Sequence, residues 1–165
     1  MNMQTHRPWP FFCLAFAVFV ADQTAKSTID SITSLGWSYS LGPFFNLVHV
    51  LNPGAAFSFL AGAGGWQRWF FLTIAIAASV WLIWMLRQSR PRSESLAFSL
   101  ILGGALGNAS DRAVRGHVID YLDFHLAGWH WPAFNVADIA ITFGAACLVL
   151  ASVTASRHPQ AREKA

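Results

Sequence analysis

Four carboxylates, Asp111, Asp120, Asp123 and Asp138, fall in one stretch of this 165-residue chain, together with Arg112, Arg115, His117, His125 and His130. Long runs that carry almost no charge flank the stretch on both sides. Ionisable groups at the edge of hydrocarbon are costly, so residues kept there are candidates for chemistry by default. Two carboxylates held together in a low-dielectric site cannot both ionise easily, and one keeps a proton near neutral pH while the other stays charged. The charged member can take a proton from water and the protonated one can polarise a carbonyl, which is the logic of an aspartic protease. Asp138 facing Asp120 would make such a pair, with Asp123 an alternative to Asp120. Asp138 is also placed to be a plain helix cap, because Pro132 announces a helix start and an acid in the first turns is favoured by the helix dipole.

Other hydrolytic chemistries find less support. No Gly-x-Ser-Gly precedes a suitable histidine, no Gly-x-Gly-Asp is present, and Ser27 is adjacent to Lys26 on a helix, so the two face different ways. The six histidines form no HExxH pattern and no Cys/His pairing at zinc spacing, so no metal site is expected. Cys13 and Cys147 sit in apolar runs, where a thiol is usually inert packing, and two cysteines make no disulfide framework.

The elements that must hold these residues belong to a membrane protein. The chain is 55% apolar and only 12% charged, about half the charge of an average soluble domain. The runs Trp69 to Leu86, Ser95 to Ser110 and Ile139 to Ser156 each approach the ~20 residues that cross a bilayer as helix. A shorter run, Trp9 to Ala21, follows His6 and Arg7 as the core of a cleaved leader would, but Phe19 and Ala21 stand where two small residues are wanted. Beyond it Asp22, Lys26 and Asp30 recur every four residues and share a helix face, with Lys26 able to pair either acid. The helix is therefore extended to Ile32 as a retained span, with the cleaved leader as the alternative. The expectation is an all-α membrane protein forming a single domain over 1–165, with four transmembrane helices at about 9–32, 68–87, 95–112 and 136–156 and a small extracytoplasmic β element. Arg7, then Arg87, Arg90 and Arg92, then Arg157, Arg162 and Lys164 mark the cytoplasmic side, which puts both termini inside and segments 33–67 and 113–135 outside. The net charge of +3 thus reports orientation and calls for no nucleic-acid partner.

Residues 31 to 67 contain no Asp, Glu, Lys or Arg, yet are too rich in Gly, Pro, Ser and Asn to be a span. Phe44 to Val50 reads as a short strand, and Trp37, Phe44, Phe45, Phe57 and Phe59 suit the interfacial zone. Asn52-Pro53-Gly54-Ala55-Ala56-Phe57 is either a plain turn or a place where another backbone approaches closely. Trp69, Trp81 and Trp84 look lipid-facing, while Gly103, Gly104 and Gly107 offer a smooth face for tight helix packing. Asn108, Asp111 and Arg112 then share a helix face, either as an interfacial ion pair or as a substrate-binding group. His117 to Tyr121 suits an extended piece, and the tail after Ser156 is expected to be disordered.

Taken together, these motifs resemble the lipoprotein signal peptidases, or signal peptidase II, over nearly the whole chain. Asp22-Gln23-Thr24-Ala25-Lys26 is similar to the family's first motif, and Asn52-Pro53-Gly54-Ala55-Ala56-Phe57 to its Asn-x-Gly-x-Ala-Phe element. Gly107-Asn108-Ala109-Ser110-Asp111-Arg112, Val118-Ile119-Asp120 and Phe134-Asn135-Val136-Ala137-Asp138 are similar to its three later elements, in order. The resemblance implies Asp120 and Asp138 as the catalytic pair, with Asn52, Gly54, Asn108, Arg112 and Asn135 lining the substrate site and Asp22, Lys26 and Asp111 holding the fold around it. Asp123 is left as a solvated neighbour without a role. The implied reaction is hydrolysis of the bond before a diacylglyceryl-modified cysteine in a bacterial prolipoprotein, in the inner membrane, without cofactor. Lipidated precursors and membrane lipids are its expected partners, the enzyme is expected to be a monomer, and the cyclic peptide globomycin is expected to inhibit it. Ala25 departs from the Ser or Thr often found before the first-motif lysine. From another class, a non-enzymatic scaffold or transporter subunit would also keep buried acids, to carry protons or fix helix packing.

Overall fold

Proline sets two of the helix starts: Pro8 and Pro10 stand at the head of the first helix and Pro91 immediately before the third, places where the missing N–H costs nothing. The computed structural model describes residues 7–54 and 59–157. Its helices are α1 (Trp9–Ile32), α2 (Gln67–Leu86), α3 (Arg92–Val114) and α4 (Val136–Arg157). Its strands are β1 (Ser38–Gly42), β2 (Phe45–Asn52), β3 (Val118–Leu126) and β4 (Trp129–His130). Ala55, Ala56 and Phe57 of the expected turn, and the tail from residue 158, lie outside the described residues.

The chain is mostly helical, and among the described residues α1, α2 and α4 are long and apolar enough to cross a membrane. They are apolar on the outside as well: Phe16, Val20, Val80, Trp84, Phe143 and Leu150 are all exposed, while Asp22, Lys26, Asn108 and Asp111 are buried. Helices that turn apolar side chains outward and charges inward are matched to lipid rather than water. Helix α3 is the exception in composition, and its position explains why. It packs against all three other helices and buries Ser95, Ser99, Asn108, Asp111 and Arg112, so neighbouring protein, not lipid, covers most of it.

Glycines let that packing close. A Cβ on Gly103 would run into the Ala15 carbonyl and Val18 of α1, and one on Gly104 into the Ala137 carbonyl and Ile141 of α4. Small residues bringing backbones together are the usual basis of helix association where no hydrophobic drive exists. Just beyond the end of α3 lies Gly116, whose φ of 87° suits a left-handed C-terminal cap, with the Arg115 and Gly116 amides both donating to the Asp111 carbonyl.

The β element is a four-stranded antiparallel sheet in the order β1-β2-β3-β4. Its register matters more than its size. Val50 pairs with Asp120 and Asn52 with Val118, so Asn52 is the diagonal neighbour of Asp120 on one face. The segment before α4 is pinned to β3, since Phe134 and Leu122 exchange both backbone hydrogen bonds at 3.0 and 2.9 Å. That bridge brings the start of α4 beside the strand carrying Asp120.

Candidate active site

Asp120 sits on β3 and Asp138 in the first turn of α4, and both are buried in the structure or nearly so. Asp138 is placed by a reciprocal cap. Its backbone N–H donates to Asn135 Oδ1 at 3.0 Å, and its Oδ2 accepts from the Asn135 backbone N–H at 3.3 Å, the two-way arrangement of a capping box. Asn135 also donates from Nδ2 to Asp120 Oδ1 at 2.6 Å, so one residue touches both acids. Asn52 Nδ2 donates to Asp120 Oδ2 at 3.0 Å, and Asn108 Nδ2 to Asp138 Oδ1 at 2.8 Å. Every oxygen of the two carboxylates therefore accepts a hydrogen bond from asparagine.

Around this pair lies a second polar layer. The Lys26 ammonium reaches Asp22 Oδ2, Asp111 Oδ2 and Asn108 Oδ1, each at 2.8 Å, which uses all three of its protons. Asp22 in turn accepts from the Ala137 backbone N–H at 2.9 Å, tying α1 to the first turn of α4. Arg112 Nη2 donates to the Gly54 carbonyl at 2.6 Å and its guanidinium lies over the Phe71 ring. Gly54 is itself held to Asn52 Oδ1 through its backbone N–H at 3.0 Å, and a Cβ there would strike the Phe59 carbonyl. The close backbone approach at this turn is thus present.

All ten residues singled out from sequence join one continuous network, in which Asn108 and Asp111 share the Lys26 ammonium while Arg112 takes a partner of its own. Asp111 turns to Lys26 and Arg112 to Gly54, with Asn108 between them. Asp123 is a correction. It is buried, not solvated, and accepts from Asn46 Nδ2 at 2.9 Å and pairs with His130 Nδ1 at 2.9 Å, because the β3–β4 hairpin folds His130 back over it. Asp30 does not pair with Lys26 either: it lies 3.7 Å from Arg115 Nε and 3.8 Å from His49 Nε2.

The family model described as signal peptidase (SPase) II matches residues 14–154. The chain belongs to the signal peptidase II family. Named relatives agree: a lipoprotein signal peptidase of Alteromonas mediterranea is 53% identical over 143 residues, covering 85% of this chain and 78% of that protein. One from Paraburkholderia phymatum is 52% identical over 141 residues, covering 85% of each. A bacterial membrane enzyme solved by the in meso method at 2.3 Å superposes with a TM-score of 0.81 at 30% identity, covering 89% of each chain. This chain is therefore a membrane peptidase, and the aspartic character of the signal peptidase II family directs attention to its buried acids.

Electrostatics at Asp120 fit that character. Burial, and then the neighbouring Asp138 charge, push its carboxyl up to about 7, against the pull of Asn52, Asn135 and Lys26. The unfolded chain releases this proton near its ordinary value of 3.8 while the folded chain holds it to about 7, so between those limits the native state binds more protons. Stability from this group is present at acid pH and is lost as pH rises through the window, by an amount on the order of 4 kcal/mol. Thermal unfolding of the wild type should accordingly shift to lower temperature between pH 5 and pH 8, and Asp120→Asn should flatten that slope. An unchanged slope in the variant would show that Asp120 ionises freely in the fold.

Two positioning residues escaped the sequence reading. Gln23 Nε2 donates to the Gly107 carbonyl at 3.1 Å and to Asp22 and Asp111, each at 3.2 Å, and Arg115 binds Asp111 Oδ1 at 2.6 Å. The i, i+4 spacing of Asp111 and Arg115 was the available signal for the second. Nothing in the spacing of Gln23 announces its reach to α3.

Proposed function

We propose that this chain is the peptidase that removes signal peptides from diacylglyceryl-modified prolipoproteins, cutting on the amino side of the lipidated cysteine, with Asp120 and Asp138 as the reacting pair. The observation that carries the assignment is the convergence of both acids on Asn135 within a buried polar centre. A water between the carboxylates loses a proton to the ionised acid as its oxygen attacks the scissile carbonyl, which the protonated acid polarises. Collapse of the tetrahedral intermediate breaks the C–N bond, and the proton taken from water passes to the departing amine of the cysteine. A substrate already anchored in the bilayer by its acyl chains needs only lateral access and a fixed scissile bond. The turn at Asn52 to Gly54, fastened to α3 through Arg112, belongs to a segment suited to cover that bond and exclude water.

We place the enzyme in the bacterial inner membrane as a monomer in contact with membrane lipids, with α3 as a fourth span and both termini cytoplasmic. Arg87 and Arg90, between α2 and α3, and Arg92, the first residue of α3, support this orientation. It puts the sheet and both acids near the extracytoplasmic face. The purified protein in lipid should cleave a diacylglyceryl-modified precursor before its cysteine and leave the unlipidated precursor intact, with globomycin blocking the reaction. Mass spectrometry of the products checks this. Equal cleavage of both precursors would remove the lipid from the specificity, and cleavage of neither would favour a scaffold.

A further inference from the structure

The asparagine amides beside the two acids are not free to turn. Asn52 has its side-chain oxygen held by the Gly54 backbone N–H and Asn135 by the Asp138 backbone N–H, each at 3.0 Å. Asn108 has its oxygen held by the Lys26 ammonium of the neighbouring α1 at 2.8 Å. An ammonium has only protons to offer, so the amide oxygen must face it and the amide NH2 must face Asp138. Resting on the dyad reading above, we propose that Lys26 is a positioning residue for Asp138, acting through Asn108, which it locks as a one-way hydrogen-bond donor to Asp138 Oδ1.

The interposed amide has a chemical consequence. A lysine paired directly with Asp138 would hold it as a carboxylate throughout the reaction. Lys26 instead pairs with Asp22 and Asp111 and reaches Asp138 only through a neutral group, 2.8 Å on each side. The amide is polarised by the ammonium and donates more strongly, yet Asp138 remains able to change charge during a cycle. Asn108 is thus assigned to orienting the acid, and its side chain is already bonded on both ends before substrate arrives.

Asn108→Asp separates this role from mere packing. The replacement has the same shape and keeps an oxygen for Lys26, so a structural partner of Lys26 survives it. It loses the NH2 donor and sets a second acceptor against Asp138. The introduced carboxylate would face Asp22 and Lys26 from α1, Asp111 and Arg112 from α3, Asp120 from β3 and Asp138 from α4. When protonated it can donate to Asp138 again. With a diacylglyceryl-modified precursor in lipid, N108D should therefore show kcat lowered on the order of 100-fold at pH 7.5. The variant-to-wild-type ratio should recover by about tenfold or more toward pH 5, with KM and the unfolding temperature near those of the wild type. A variant within about threefold of wild type at pH 7.5, or a ratio that stays flat with pH, overturns the proposal.

Asp138→Asn is measured alongside. If it still cleaves, the dyad reading falls and this proposal with it; if it is inactive while N108D is flat, only the positioning role is lost. Should N108D fail to fold, Asn108→Ala removes the donor without adding charge. It should depress kcat at every pH with little change in KM, and near wild-type kcat would overturn the proposal equally.

Discussion

Asp120→Asn and Asp138→Asn should each lower kcat for a lipidated precursor by on the order of 10³-fold or more, since each removes a proton-transferring member of the pair. Both variants should remain folded. At Asp138 the replacement amide keeps an oxygen for the Asn135 backbone N–H, so the cap that starts α4 persists. At Asp120 an amide offers one acceptor where Asn52 and Asn135 bring two donors, a local loss of about 1–3 kcal/mol. Near-normal cleavage by either folded variant would show that the acid concerned is not part of the chemistry. KM should change far less than kcat, because neither side chain is assigned to holding the lipid or the peptide.

Lys26→Met should have the largest effect on stability. It leaves Asp22 and Asp111 buried without their common cation, and an uncompensated buried charge costs about 3–5 kcal/mol. Arg115 still reaches Asp111, but Asp22 retains only its amide donors. Neutralising both acids as well, in Asp22→Asn/Lys26→Met/Asp111→Asn, should recover much of the stability in thermal unfolding. It should not recover the rate, because Asn108 would then lose the ammonium that holds its oxygen away from Asp138 and keep only the long contact from Asn135 Nδ2. Full recovery of both would mean that Lys26 serves the fold alone.

The charge-poor runs and prolines made the helices legible, since length and composition determine whether a segment can lie in hydrocarbon. Residues paired along one helix were also readable, as with Asp22 and Lys26. What resisted reading was register across elements. Nothing in the spacing of Asn52 and Asp120 says that a bulge between Leu47 and Val50 makes them diagonal neighbours, and nothing near Asp123 says that a hairpin will carry His130 back to it. Asn108, Asp111 and Arg112 could be grouped by their spacing along one helix, but not assigned partners. Their different partners, on α1 and at the turn after β2, are set by tertiary packing that local spacing does not encode.

The central position of α3 bears on how the protein is made. Presented to a bilayer alone, this helix would carry Asn108, Asp111 and Arg112 into or beside hydrocarbon without partners. Its surroundings supply what it lacks: Lys26 binds Asn108 and Asp111, and Gly103 and Gly107 seat against Ala15, Val18 and Asp22. Those residues all belong to α1, which leaves the ribosome well before α3. Synthesis from the N-terminus thus delivers the receptor before the helix that depends on it, and α4, which closes over Gly104, arrives last. Detaching α1 and supplying it as a separate polypeptide would reverse that order, leaving α3 to wait with its charges uncovered.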